Sequence, residues 1–426
     1  MKNDNIEFET IRSNKHRIIF FGGVVCVVVL LVALVLNVTR AKYRTAQSMP
    51  LYNATVNYSL ADLNIVAIYV GGEVVDSLDS SKQYTLDTEQ TTCTYKDGST
   101  ISNLTISYET ETGSLSISPF TTKGTKCTLY FDEYVGPQTI QDILAGKSEG
   151  NRGNPGSAFS TNTTGQYFTT TDWDGTTYYF AGNPTDNWVS FAGFYWRIIR
   201  INGDGSIRLI YQGTSANTTG TGTQIGTSAF NSSYNQSRYV GLVYGTTSQQ
   251  HGYGNDSTIM SELNDWYQRN LASHASYIDT GAGFCSDRGP DSGWSNTGSF
   301  TYAPYTRISG GSPSLDCGDA DILSVDNGRL TYPIGLITVD EVAYGGIVWN
   351  GATTSNYLYT GQFYWTLSPS DFYIDSAWVF YVYSSGGLSS NGVNGSYGVR
   401  PVINLRSDTR FTGTGTSDDP YTVVYN

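Results

Sequence analysis

The chain has 426 residues, a formal net charge of −13 and 14% charged residues, with 47 glycines and 33 tyrosines. An acidic chain without a basic stripe argues against a nucleic-acid partner, and so many aromatic residues argue against a disordered one. The length suits two or three domains, and short Thr/Val/Tyr-rich runs punctuated by Gly, Asn and Asp predict β structure.

The first feature in chain order is the uncharged apolar run Ile18–Leu36, IIFFGGVVCVVVLLVALVL. As a helix it spans roughly 28 Å, close to the ~30 Å of a hydrocarbon core. It predicts a transmembrane anchor over 18–38, with a cytoplasmic tail at 1–17 and a polar stalk at 39–60. Lys2, Arg12, Lys15 and Arg17 before the run are nearly balanced by Arg40, Lys42 and Arg44 after it, so charge does not set the orientation. The cysteines do. Cys26 lies in the run, while Cys93, Cys127, Cys285 and Cys317 form an even set beyond it, as a disulfide-permitting exterior predicts. The expected location is the cell membrane, single-pass, with the N-terminus cytoplasmic and the later domains extracellular. A cleaved signal peptide is the alternative, but no clean small-x-small site follows Leu36 and the run is long for a signal core.

Residues 61–134 predict a small β-sandwich-like module. Asn64–Val70 reads as a strand, Gly71-Gly72 as a turn and Glu73-Val74-Val75 as the returning strand. Leu104–Tyr108, Ser114–Ser118 and Thr128–Phe131 continue the pattern. Four cysteines allow three pairings; the sequential one, Cys93 with Cys127 and Cys285 with Cys317, keeps each bond inside one compositional block. Residues 135–187 read as a linker helix, PQTIQDILAG, followed by a Gly/Asn/Thr-rich connection.

Residues 188–426 predict a larger domain. Phe194–Tyr211 is a hairpin around the turn Asn202–Ser206. Asp256-Ser257 caps a helix through about Leu271, whose stripe Ile259, Met260, Leu263, Trp266, Tyr267 and Leu271 predicts a core face. Thr338 with Glu341 has the spacing of a capping box for a shorter helix. Two helices on a β-rich domain make the expected class α+β.

Reactive chemistry is sparse. The three histidines, His16, His251 and His274, are isolated, and no P-loop occurs. Asp287, Asp316 and Asp319 flank the Cys285/Cys317 pair, which suits a structural disulfide better than a thiolate nucleophile. Asp316, Asp319 and Asp321, with Asp326 beyond, are calcium candidates; solvated loop acids are the alternative reading. No other cofactor is expected.

The most informative stretch is Phe363–Leu405, FYWTLSPSDFYIDSAWVFYVYSSGGLSSNGVNGSYGVRPVINL. Two motifs, Tyr364–Pro369 and Gly398–Val402, frame a segment of Asp, Tyr, Phe, Ser, Gly and Asn. Such residues combine large amphipathic contact area with adaptable hydrogen bonding. Alternation divides Ala377–Tyr383 into two faces, Trp378, Phe380 and Val382 against Ala377, Val379, Tyr381 and Tyr383. One set is expected in the core, with the tyrosine pair exposed.

The ordered series Tyr195–Arg200, Phe284–Arg288, Tyr332–Thr338, Tyr364–Pro369 and Gly398–Val402 resembles an uncharacterised family of exported proteins of Gram-positive and related gut bacteria. The resemblance covers roughly Trp188 to Val424. The closing pattern is also similar to the C-type-lectin-like, formylglycine-generating-enzyme-like fold, which includes variable proteins diversified by retroelements. That resemblance implies a C-terminal lectin-like domain with a display segment from Asp371 to Tyr397. Its implied contact positions are Asp371, Phe372, Tyr373, Ile374, Asp375, Phe380, Tyr381, Tyr383, Ser389, Ser390, Asn391 and Asn394. The chain departs from relatives that carry chemistry: nothing after Cys317 is cysteine, and Ser368-Pro369-Ser370 lacks the carboxylate and amide of a sugar-binding calcium motif.

The function expected is that of a membrane-anchored, cell-surface recognition protein. It would bind a glycan or protein of another cell, host or phage through Tyr373, Trp378, Tyr381 and Tyr383, with Asn391 and Asn394 as polar partners. A structural envelope or appendage component is the alternative, and a surface enzyme a further one.

Overall fold

The computed structural model describes residues 63–118, 124–134, 136–249, 252–291, 297–317 and 321–425. The expected tail, anchor and stalk lie outside the described residues, as do His16, Cys26, His251 and Asp319. Among the described residues no helix is long and apolar enough to cross a membrane. The longest, Thr258–Asn270, has 13 residues, about 20 Å against a core of ~30 Å. The expectation of a single-pass, cell-membrane protein with a transmembrane helix is corrected accordingly. The fold class is corrected too: 38% strand against 14% helix is a mostly β protein, not α+β. The physical reason lies in the sequence, where caps and Gly-rich turns confine the other α-helices to six or seven residues.

Two compact units divide the chain, Met1–Val135 and Gly136–Asn426. In the first, Leu63–Val70 turns through Gly71-Gly72 into Glu73–Val75, the expected hairpin. Leu63–Val70 also pairs in parallel with Thr125–Tyr134, which in turn pairs with Gln83–Leu86 and Thr92–Thr94. A separate hairpin, Thr105–Glu109 with Ser114–Ser118, contributes Leu115 and Ile117 to the core around Ile68, Leu129 and Phe131. The Cys93–Cys127 disulfide joins directly paired strands inside that core.

The second unit is built on two sheets around one core. In the nine-stranded sheet the expected hairpin is present, Phe194–Ile201 with Ile207–Gly213. Residues expected to form a connection instead supply strands: Gln166–Asp172 pairs with Gly175–Tyr179, which pairs with Phe194–Ile201. The six-stranded sheet contains Gly226–Ala229, Ser396–Val399, Tyr364–Ile374, Ser376–Tyr383 and Gly387–Gly392 in that order, with Gly298–Thr301 on the far half of Tyr364–Ile374. Two helices begin at the caps expected for them, Ser257 and Thr338. Ser257 Oγ accepts from Met260 N–H, and reciprocal capping boxes start Ile140–Ala145 at Thr139 and Val339–Gly345 at Thr338. Ile259, Met260, Leu263, Trp266, Tyr267 and Leu271 are all buried, as their spacing predicts.

Charge is buried as well. Arg200 and Arg208 both pair with Glu341, at 2.9 and 2.5 Å, and Arg200 also pairs with Asp172. Burial opposes ionisation of Glu341, but the two guanidiniums outweigh it and hold the carboxyl below its ordinary value. Arg400 of the GVRP motif is also buried, donating to the carbonyls of Tyr211 and Leu358 and to Gln212 Oε1. The Gly398–Val402 frame is therefore architectural: its cation holds the closing strands to the larger sheet.

Candidate ligand-binding groove

The closing segment folds as a hairpin, and its register decides which side chains meet. Asp371 faces Trp378, Phe372 faces Ala377 and Tyr373 faces Ser376. On the outer side, Gly298–Thr301 adds Thr301 beside Asp371, Phe300 beside Phe372 and Ser299 beside Tyr373. Directly paired residues share a face. Thr301, Asp371 and Trp378 therefore lie on one face, with Ser299 and Tyr373, while Phe300, Phe372 and Ala377 lie on the other, in the core.

The first face lines a groove of about 490 Å³. Two further rings close it. Tyr305 comes from the helix Ala303–Ser309, whose N-cap Tyr302 is fixed by N–H donation to Ser370 O and hydroxyl donation to Ser237 O. Trp349 follows the helix Val339–Gly345 and is held by a bridge to Leu388. The rings form two near-perpendicular corners: Tyr305 with Trp349 at 5.8 Å and 74°, and Tyr373 with Trp378 at 6.5 Å and 76°. Ser299, Thr301 and Ser390 add hydroxyls.

Asp371 is the charged residue of this lining, and no Lys, Arg or His joins it. Its Oδ2 accepts from Ser370 Oγ at 2.6 Å, and Oδ1 has no donor among the described residues. Burial pushes its carboxyl above the ordinary value, only partly opposed by the Ser370 hydroxyl. At the hairpin tip Tyr373 and Ile374 are 54% and 58% exposed. Ile374 has φ +62°, a left-handed backbone that a β-branched residue rarely adopts. Its N–H donates to Ser299 Oγ, and Asp375 N–H to Tyr373 O.

The expected contact residues are thus separated. Asp371, Tyr373 and Ser390 line the groove with Trp378, and Ile374 and Asp375 form its adjoining turn. Phe372 lines it only through a side chain that is otherwise core, and Phe380 is fully buried. Tyr381, Tyr383, Ser389, Asn391 and Asn394 do not line it. Tyr381 is on the opposite face, stacked on Tyr397 at 4.7 Å, with Phe363 stacked on Tyr397 in turn. Asn391 Nδ2 donates to Tyr397 Oη, and Tyr383 Oη to Gly351 O at 3.0 Å. Asn394 is exposed in the turn between Gly387–Gly392 and Ser396–Val399. Neither face of Ser376–Tyr383 is simply core or simply solvent. Ala377 and Val379 on one face and Phe380 and Val382 on the other are buried, because the strand is central and covered on both sides.

The lining residues that sequence reading missed are Ser299, Phe300, Thr301, Tyr305 and Trp349. They stand outside the closing segment, and no local spacing links them to it. Among the described residues the calcium candidates do not converge. Asp321 pairs with Arg288 at 3.0 Å and accepts from Tyr253 Oη, Asp319 lies outside the described residues, and among the described residues no group of three His, Cys, Asp or Glu could hold a metal ion.

The other concentration of titratable groups is Arg200, Arg208, Asp287, Asp340 and Glu341. It faces a void of only about 10 Å³, at most the room of one water. Arg307 bridges Asp287 and Asp340 there, beside the Cys285–Cys317 disulfide, whose pairing is the sequential one expected. The geometry suits a structural ion cluster with no space for a substrate.

A family model described as a domain of unknown function (DUF6273) matches residues 344–407, the stretch that carries Trp349 and the whole closing hairpin. No curated protein and no solved structure matches the chain.

Proposed function

We propose that this is a recognition protein whose second unit binds a glycan or protein ligand in the groove beside the closing hairpin. The observation that carries this reading is the concentration in one cavity of Tyr305, Trp349, Tyr373 and Trp378 with a carboxylate oxygen of Asp371 that meets no donor among the described residues. A mostly apolar cavity of this size with a few convergent polar groups is the usual form of a ligand site. The raised Asp371 carboxyl and the strained Ile374 support it, since both are unfavourable for folding and persist where function retains them. The resemblance to lectin-like display proteins points to the same hairpin. Two disulfides favour an oxidising compartment, where ligands on other cells, hosts or phages are met.

The test is a binding screen of defined glycans and candidate surface proteins against the full chain, beside Tyr373→Ala and Ser390→Arg. Tyr373 is exposed and Ser390 half-buried, so neither change disturbs the core. Loss of the same ligand in both variants is the expected result. A ligand retained at full affinity by both would place recognition elsewhere.

A further inference from the structure

The described residues contain twelve contacts in which a Lys or Arg of the protein lies over one of its own rings, among them Arg197 over Trp188, Arg208 over Phe284 and Arg400 over Tyr364. None uses Tyr305, Trp349, Tyr373 or Trp378. Among the described residues, then, no cation of the protein itself lies over the four rings that gather in the groove. The same holds for the carboxylate. Asp172, Asp186, Asp287, Asp321, Asp340 and Glu341 each pair with a Lys or Arg, whereas Asp371 shares the cavity with the rings and is paired, among the described residues, only with a neutral hydroxyl. A carboxylate partly removed from water without a counter-charge is unfavourable, and any ring face turned toward it adds negative potential of the same sign.

We propose that the groove is a subsite for an alkylated ammonium group, with the two ring corners as a cage and Asp371 as counter-ion. This rests on the groove being the recognition site and names the chemistry that enters it. A ligand that carries a cation on a small apolar surface satisfies both unmet features at once. It places positive charge against the ring faces, where desolvation strengthens the attraction, and it neutralises Asp371. A neutral hydroxylated ring can donate to Asp371 Oδ1 and stack on Tyr373, but it leaves the carboxylate charge uncompensated. The cavity, about 490 Å³, has room for a headgroup of this size together with part of whatever bears it. The bearer could be a polymer decorated with a quaternary amine or a protein lysine; the shared chemistry is the cation, and the probes separate the sources.

The experiment titrates the full chain with choline, tetramethylammonium, lysine methyl ester, methyl glucoside and 3,3-dimethylbutan-1-ol, the last a neutral isostere of choline, and reads affinity by NMR or calorimetry. Binding of at least one of the three cations is expected. Where choline is the cation bound, its affinity should exceed that of the isostere roughly tenfold, and Asp371→Asn should lower cation affinity by a similar factor. A preference for choline over lysine methyl ester indicates a quaternary amine, and the reverse a lysine. Equal binding of choline and its isostere, unchanged cation affinity in Asp371→Asn, or binding by none of the three cations would overturn the proposal. The broader reading fails separately. If a ligand from the screen is lost in Tyr373→Ala while no cation binds, the groove remains the recognition site and only its cation chemistry is wrong.

Discussion

Glu341→Gln is the sharpest test of how the second unit is held together. Glu341 is 2% exposed. It serves as counter-ion to Arg200 and Arg208 and accepts the Thr338 N–H that closes the capping box of Val339–Gly345. The local cluster of Arg200, Arg208, Asp172 and Glu341 is neutral. Replacing the glutamate leaves one positive charge in excess, and Arg208 then has only neutral acceptors, the introduced amide oxygen and those of Gly283, Leu336 and Asn404, with the Phe284 face. Removing one partner of a buried pair costs about 3–5 kcal/mol. At about 2–4 °C per kcal/mol for large domains, the unit should melt roughly 6–20 °C lower. The assay is thermal and urea unfolding of the full chain, comparing wild type with Glu341→Gln at several pH values. The sign with pH follows from the depressed carboxyl. Its stabilisation is fully present above the ordinary value of 4.5 and is lost as pH falls through the lower folded value. The gap between wild type and variant should therefore shrink below pH 4.5. A loss under about 1 kcal/mol at neutral pH, or a gap that does not change with acid, would refute the reasoning and show that the cluster's desolvation cancels its attraction.

Three further outcomes are expected. Ile374→Gly should stabilise the fold by about 1 kcal/mol in urea unfolding, because left-handed strain of roughly 1–3 kcal/mol exceeds the entropy glycine adds to the unfolded chain; a loss would show that the exposed Ile374 side chain contributes packing. Cys285→Ser with Cys317→Ser, which opens a 32-residue separation, should destabilise the second unit by about 3–4 kcal/mol in the chain-entropy model. Cys93→Ser with Cys127→Ser should act on the first unit's transition, and an identical effect of both pairs on a single transition would contradict two separately stabilised units.

What the sequence determined is local. Ser257, and Thr338 with Glu341, mark helix starts because a cap is a bond between residues three apart, and the stripe from Ile259 to Leu271 marks a core face because a helix repeats within a turn. The Phe194–Tyr211 hairpin was legible for the same reason, its turn residues lying between the strands they join. Alternation along Ala377–Tyr383 correctly sorted side chains into two sets but could not say what covers each. That depends on Gly387–Gly392 and Tyr364–Ile374 as neighbours and on the register shifts around Pro369, which are set between strands. The parallel pairing of Leu63–Val70 with Thr125–Tyr134 was hidden likewise, since a parallel partner leaves no turn signal. The groove is the clearest case. Composition marks the closing segment and the resemblance points to Asp371 and Tyr373 within it, but Ser299, Thr301, Tyr305 and Trp349 reach them only through tertiary pairing. Local bonds are written in neighbouring residues; a cavity is made by surfaces from distant segments, and only the folded chain brings their side chains to one place.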